Sequence, residues 1–263
     1  PSFTPVATDL IGAGSDTSQH AIHLVAEGFN AQSPAPAFKV ASFAALGGGE
    51  ITLPHGAITR PNGSGAGKKL LYGATENADV DFARSSSANS AEETQAGLKA
   101  FPFALDTLKM AVSNSVPSHA PAGLTPAQIV GIYKGEITNW SAVGGQDGLI
   151  APKIPQGGSG TRSFFESQLK SMNGGVAVVY GQNVGEVQEH DDTLIKNDAN
   201  AIAPFSSGRA GLLGSTLRLE TGWKADRALY NVVRGGDLGR ADLQAVFGEN
   251  GFLCSTEARP LIE

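Results

Sequence analysis

The chain has 263 residues, 41% of them apolar, and a formal net charge of −6. That length supports one large domain or two modest ones, each with its own core. The acidic balance argues against a nucleic-acid binder, and apolar runs such as residues 176–180 are far too short to span a membrane. A small anion stays allowed, because local donors hold it while net charge mainly sets solubility. The single cysteine, Cys254, excludes an internal disulfide. The histidines are scattered, and His20 and His23, at i, i+3 spacing, read as a solvated helix face. No metal or other cofactor is expected.

Taken in chain order, the spacing predicts short strands and helices of an α/β protein, separated by Gly and Pro. Residues 16–19 read as an N-cap, followed by a helix over 20–29 with Ile22, Val25, Ala26 and Phe29 on one face. Residues 37–40 read as a strand, 68–72 as a helix opened by Gly65–Gly67, and 78–83 as a short buried strand. Residues 101–105 and 108–112 read as consecutive extended segments. Thr125 caps a helix with Pro126 in its first turn and apolar residues through Tyr133. Residues 159–169 form a further glycine-started helix, 201–205 a strand and 239–247 a last helix.

Three of these junctions repeat one pattern: a strand-like lead, a turn of Gly, Ser and Thr, then a helix. They are residues 12–17 (GAGSDT), 62–67 (NGSGAG) and 157–161 (GGSGT). Each places free backbone N–H groups and hydroxyl donors at a helix N-terminus, where the dipole is positive. Converging, the three would hold an oxyanion without a surplus of Lys or Arg. Enzyme motifs fail on spacing. Lys69 stands where a P-loop needs Ser or Thr, Thr161 replaces the second glycine of a hydrolase elbow around Ser159, and Gly12-Ala13-Gly14 lacks the third glycine of a dinucleotide fingerprint.

The run from Leu124 to Trp140 (LTPAQIVGIYKGEITNW), followed by PQGGSGTRSFF from Pro155, resembles the periplasmic phosphate-binding proteins of phosphate ABC transporters, most closely their actinobacterial members. The resemblance extends back through residues 80–86 (VDFARSS), the Gly63-Ser64 turn and Gly12-Ala13-Gly14, and forward to residues 201–205. It implies a class II periplasmic-binding-protein fold: two α/β lobes joined by two crossover strands, with a ligand cleft between. The expected lobes are residues 1–103 with 204–263, and 104–203. Carried over position by position, the ligand-binding set is Asp16, Thr17, Ser64, Ser86, Ser159, Gly160 and Thr161, to which we add Arg84. The family usually has Thr where Asp16 stands, Asp where Ser86 stands and Arg where Pro155 stands. Arg84 or Arg60 is a candidate for the displaced guanidinium, and Asp16 for the displaced carboxylate that would accept the proton of hydrogen phosphate. The bland alternatives are an Asp16 that only caps its helix, an Arg84 that pairs with a carboxylate, and an Arg162 that points away.

The resemblance also implies a non-enzymatic, exported monomer that closes around inorganic phosphate and delivers it to the membrane permease of an ABC transporter. No leader is visible before Pro1, so export is expected from the resemblance alone. Rival expectations are the same fold holding sulfate, molybdate or tungstate, a phosphate sensor or adhesion protein, and a phosphatase. Trp140 and Phe164 are expected in the core, and residues 188–192 (QEHDD) in a solvated turn.

Overall fold

The computed structural model describes residues 1–262, and the chain divides into two compact units. The first comprises Pro1–Leu105, Gly158–Gly160 and the chain from Ala228 onward; the second comprises Asp106–Gly157 and Thr161–Arg227. In chain order, β1 (Leu10–Gly14) leads into α1 (Gln19–Asn30), followed by β2 (Val40–Ser42). The antiparallel pair β3 (Glu50–Leu53) and β4 (Gly56–Thr59) precedes α2 (Ser64–Lys68), β5 (Phe82–Ser85) and α3 (Ala91–Gln95). Strand β6 (Leu98–Ser113) carries the chain into the second unit. That unit holds α4 (Pro126–Lys134), β7 (Ala151–Pro155), α5 (Gly160–Met172, beyond its first residue), β8 (Gly185–Val187), β9 (Ala201–Ser206) and α6 (Ser207–Leu212). Strand β10 (Leu217–Arg234) returns to the first unit, which ends with α7 (Ala241–Phe247) and α8 (Arg259–Ile262).

The expected return crossing at residues 201–205 is instead β9, wholly inside the second unit. The return is made by β10, so the boundary lies between Arg227 and Ala228 and not at 203–204. The two extended segments expected over 101–112 form one continuous strand of 16 residues, β6.

The first unit is built on strands in the order β2-β1-β5-β10, with β1 parallel to β2 and β5, and β10 antiparallel to β5. Side chains alternate between its two faces. Phe82 and Val233 meet Ile22, Val25 and Phe29 of α1 and Leu243, Val246 and Phe247 of α7 on one face. Ala83 and Val232 meet Ile11, Ala13 and Leu71 on the other. Each such large apolar side chain, fully buried, contributes roughly 1.5–3 kcal/mol. The glycines of Gly12-Ala13-Gly14 lie inside β1, and a Cβ on Gly12 would collide with the Phe82 ring.

The second unit orders its strands β6-β9-β7-β8. Helix α4 begins with a reciprocal capping box, Thr125 with Gln128, has Pro126 in its first turn, and stops at Gly135 in the left-handed region. Tyr133, Trp140 and Phe165 are fully buried in its core, and Phe164 packs against them partly buried.

Candidate functional site

Asp16, Thr17, Ser64, Arg84, Ser86, Ser159, Gly160 and Thr161 are all buried. All but Thr161 belong to the first unit, and Thr161 follows Gly160 directly along α5. The three glycine turns come together there. Ser86 N–H donates to Ser64 Oγ at 3.0 Å, and the two hydroxyl oxygens are 3.3 Å apart. Gly160 packs on this pair so closely that a Cβ would collide with both hydroxyls. The 62–67 turn is tied to the 157–161 loop by Gly65 N–H donating to Gly158 O at 3.0 Å. It is pressed against the first turn by Gly67, which abuts the backbone of Ala13 and Gly14. Glycine is needed for these approaches because any side chain would hold the loops apart.

Arg84, on β5, lies beside Gly14 in register and is fully buried. Its Nε donates to Ser15 O at 3.1 Å, Nη1 to Ser42 Oγ at 2.7 Å and Nη2 to Gly14 O at 3.5 Å. Its side chain thus reaches β2 past the bare strand position of Gly14, fixing the loop that carries Asp16. Desolvation lowers its pKa to about 10, opposed by the nearby Asp16 carboxylate. It stays cationic at neutral pH, and all its hydrogen-bond partners are neutral.

Asp16 Oδ1 accepts from Gln19 Nε2 at 2.7 Å, and the N-cap position of α1 belongs to Ser18. Thr17 N–H donates to Ser15 Oγ at 3.1 Å. Lys68, the one lysine that could mimic a phosphate-loop cation, is buried against Glu93 at 2.6 Å and is neutralised in place. Arg60, the other guanidinium candidate, donates to the carbonyls of Gly48, Ala44 and Glu50 and stitches the loop before β3. Arg162 turns to Glu166, Glu186 and Pro155 O.

One expectation is overturned in the second unit. Within the supposed solvated turn 188–192, Glu189, His190 and Asp192 are buried. Glu189 Oε1 accepts from Thr161 Oγ1 at 2.5 Å, and Glu189 N–H donates to Gln156 Oε1 at 2.7 Å. His190 has a left-handed backbone at φ 55°, and its Nε2 accepts from Ser206 N–H at 3.2 Å. A run as polar as QEHDD looks solvated in sequence; only the closeness of Thr161 in space shows a buried carboxylate there.

A family model described as "PBP superfamily domain" matches residues 2–216. No curated protein matches the sequence. Among solved structures, the fold is similar to an ABC-type phosphate transport receptor from Vibrio cholerae, at 25% identity, 97% coverage of both chains and a TM-score of 0.66. It is also similar to a putative phosphate ABC transporter substrate-binding protein with bound phosphate from Clostridium perfringens, at 21% identity, 96% coverage of both and a TM-score of 0.71. The regulatory domain of a LysR-family regulator from N. meningitidis matches as well, at 12% identity, 96% coverage of this chain and 92% of that one, and a TM-score of 0.55. Transport receptors and a regulator thus share one architecture, so the function has to be argued from the site.

Proposed function

We propose that this chain, a member of the PBP superfamily, binds inorganic phosphate and delivers it to the membrane permease of an ABC transporter. The observation that carries this is the packing of Gly160 onto Ser64 and Ser86, which gathers the glycine-serine turns around one point. There the donors are backbone N–H groups at helix starts and the hydroxyls of Thr17, Ser64, Ser86 and Ser159. Lys68 is spent on Glu93, and the buried cation whose direct hydrogen-bond partners are all neutral is Arg84, with Asp16 nearby. Such a set suits a compact dianion: fixed dipoles and a single guanidinium replace its hydration shell. The similarity to phosphate receptors of Vibrio cholerae and Clostridium perfringens supports the same ligand class. The same family setting supports an exported binding protein without catalytic activity. Among the described residues no helix is long and apolar enough to cross a membrane.

Calorimetric titration with phosphate, sulfate and molybdate tests this reading, on protein stripped of carried-over ligand by unfolding and refolding. Tight phosphate binding is expected. Heat from sulfate or molybdate with none from phosphate would assign the site to the rival oxyanions, and turnover of an aryl phosphate would make the chain an enzyme.

A further inference from the structure

Asn231 lies on β10, in the part of that strand belonging to the first unit, and is fully buried. Its carboxamide offers two N–H donors and an acceptor oxygen. Among the described residues, neither Asn231 Nδ2 nor Asn231 Oδ1 has a hydrogen-bond partner. Keeping such a group unpaired and out of water costs stability, and the large majority of buried polar groups are paired. An apolar side chain would fill the position without that cost, as Val233 does opposite Phe82.

The register shows what Asn231 stands beside. It is directly opposite Arg84 in the antiparallel pair of β10 with β5, so the two side chains share one face of the sheet. Arg84 does not take the carboxamide as a partner. Its donors go to Ser15 O, Ser42 Oγ and Gly14 O, on the side away from β10. Just beyond the end of β5 comes Ser86, whose hydroxyl lies against Ser64 and Gly160. Asn231, Arg84, Ser86, Ser64 and Gly160 all belong to the first unit.

The geometry points to Asn231 as a further anion-binding residue, supplying carboxamide N–H donors from β10 on the flank of Arg84. This rests on the anion-binding function proposed above and adds to it a strand that none of the glycine turns reaches. A carboxamide suits the position. A carboxylate there would pair with Arg84, as Asp106 pairs with Arg227, and would repel an anion. A carboxamide adds donors while leaving the charge of Arg84 uncancelled. It is costly until an anion accepts from it, and binding then exchanges an unsatisfied donor for a charge-assisted bond.

Asn231→Leu, close in size and without polar atoms, separates this role from a structural one. Ligand-stripped wild type and variant are titrated calorimetrically with inorganic phosphate and melted without it. The variant is expected to bind phosphate about tenfold or more weakly, the scale of one hydrogen bond to a charged group. It should also melt about 2–4 °C higher, because an unsatisfied buried group has gone. Unchanged affinity overturns the inference; with a lower melting temperature it would make the carboxamide a structural group bonded to internal water. Should Asn231→Leu not fold, Asn231→Ala gives the affinity, and a value equal to wild type overturns the inference in the same way. The side-chain amide signals of Asn231, assigned by their loss in the variant, should shift in heteronuclear NMR when phosphate is added. Signals that stay fixed would mean that no anion touches the carboxamide. If wild type gives no heat with phosphate, the anion-binding function is lost and this residue's role with it. If wild type binds and Asn231→Leu binds as tightly, only the role of Asn231 is lost.

Discussion

Each unit buries an arginine on a strand, and the two are treated in opposite ways. In the second unit, Arg227 sets Nε and Nη2 on Asp106 Oδ2 at 2.9 and 2.8 Å, and Asp106 Oδ1 accepts from Ser206 Oγ at 2.6 Å. Its guanidinium also stacks over the Phe164 ring. That charge is matched by a directly bonded carboxylate, which makes the group scaffold. In the first unit, Arg84 bonds only carbonyls and a hydroxyl, and the Asp16 carboxylate acts on it without a direct hydrogen bond. A buried cation bonded only to neutral groups keeps field to spare for an incoming anion. The two arginines thus differ in whether a carboxylate is bonded to them directly.

Two substitutions probe that contrast directly, and a third probes a buried carboxylate on the same strand as Arg227. The largest effect is expected from Asp106→Ala, which takes from buried Arg227 the carboxylate bonded to its Nε and Nη2 and should cost about 3–5 kcal/mol in denaturant unfolding. A loss below about 1 kcal/mol would mean that Arg227 is no strut. Arg84→Met should lower phosphate affinity by about 100-fold, as for a charge-assisted contact. It should also lower the melting temperature, since Ser42 Oγ and the carbonyls of Ser15 and Gly14 lose their donor, so affinity is read on the folded variant. Unaltered affinity would erase the distinction between the two arginines.

The smallest effect is expected at Glu220 on β10, a buried carboxylate approached by Arg218 Nη1 at 3.1 Å. Desolvation raises its pKa to about 7, opposed by Arg218. Because the folded value lies above the unfolded one, the native state holds the extra proton between about pH 4.5 and 7. Stability therefore declines as pH rises through that window. Glu220→Gln should raise the melting temperature by about 2–4 °C at pH 8 and leave it unchanged near pH 4. A gain of equal size at both pH values would point to packing and not titration.

Much of this was legible in the sequence wherever local chemistry decides local structure. Thr125 with Gln128 and Pro126 marks a helix start by itself, and α4 begins there. The apolar period of residues 22–29 marks the buried face of α1. That the 62–67 turn and the 157–161 loop meet is likewise foreshadowed by their shared glycine-serine pattern, because only glycine allows so close an approach. The rest is decided by partners remote in sequence. Strand β10 runs 18 residues through LRLETGWKADRALYNVVR, where interspersed charges hide any strand period, so the return crossing was placed too early. Gly12 reads as a turn glycine, yet its role is to admit the Phe82 ring from a neighbouring strand. Glu189 sits in an acidic run whose burial depends on Thr161 and Gln156, well upstream in the chain.

The complete burial of Arg84 bears on where such a protein can operate. Attraction between exposed charges fades within about 8–10 Å at ordinary ionic strength, whereas a pair closed off from water is screened much less. A protein that collected its anion on surface lysines would lose its grip as chloride rose. One that meets it with a sunken guanidinium and fixed backbone dipoles should retain nearly the same affinity in dilute and in brackish surroundings.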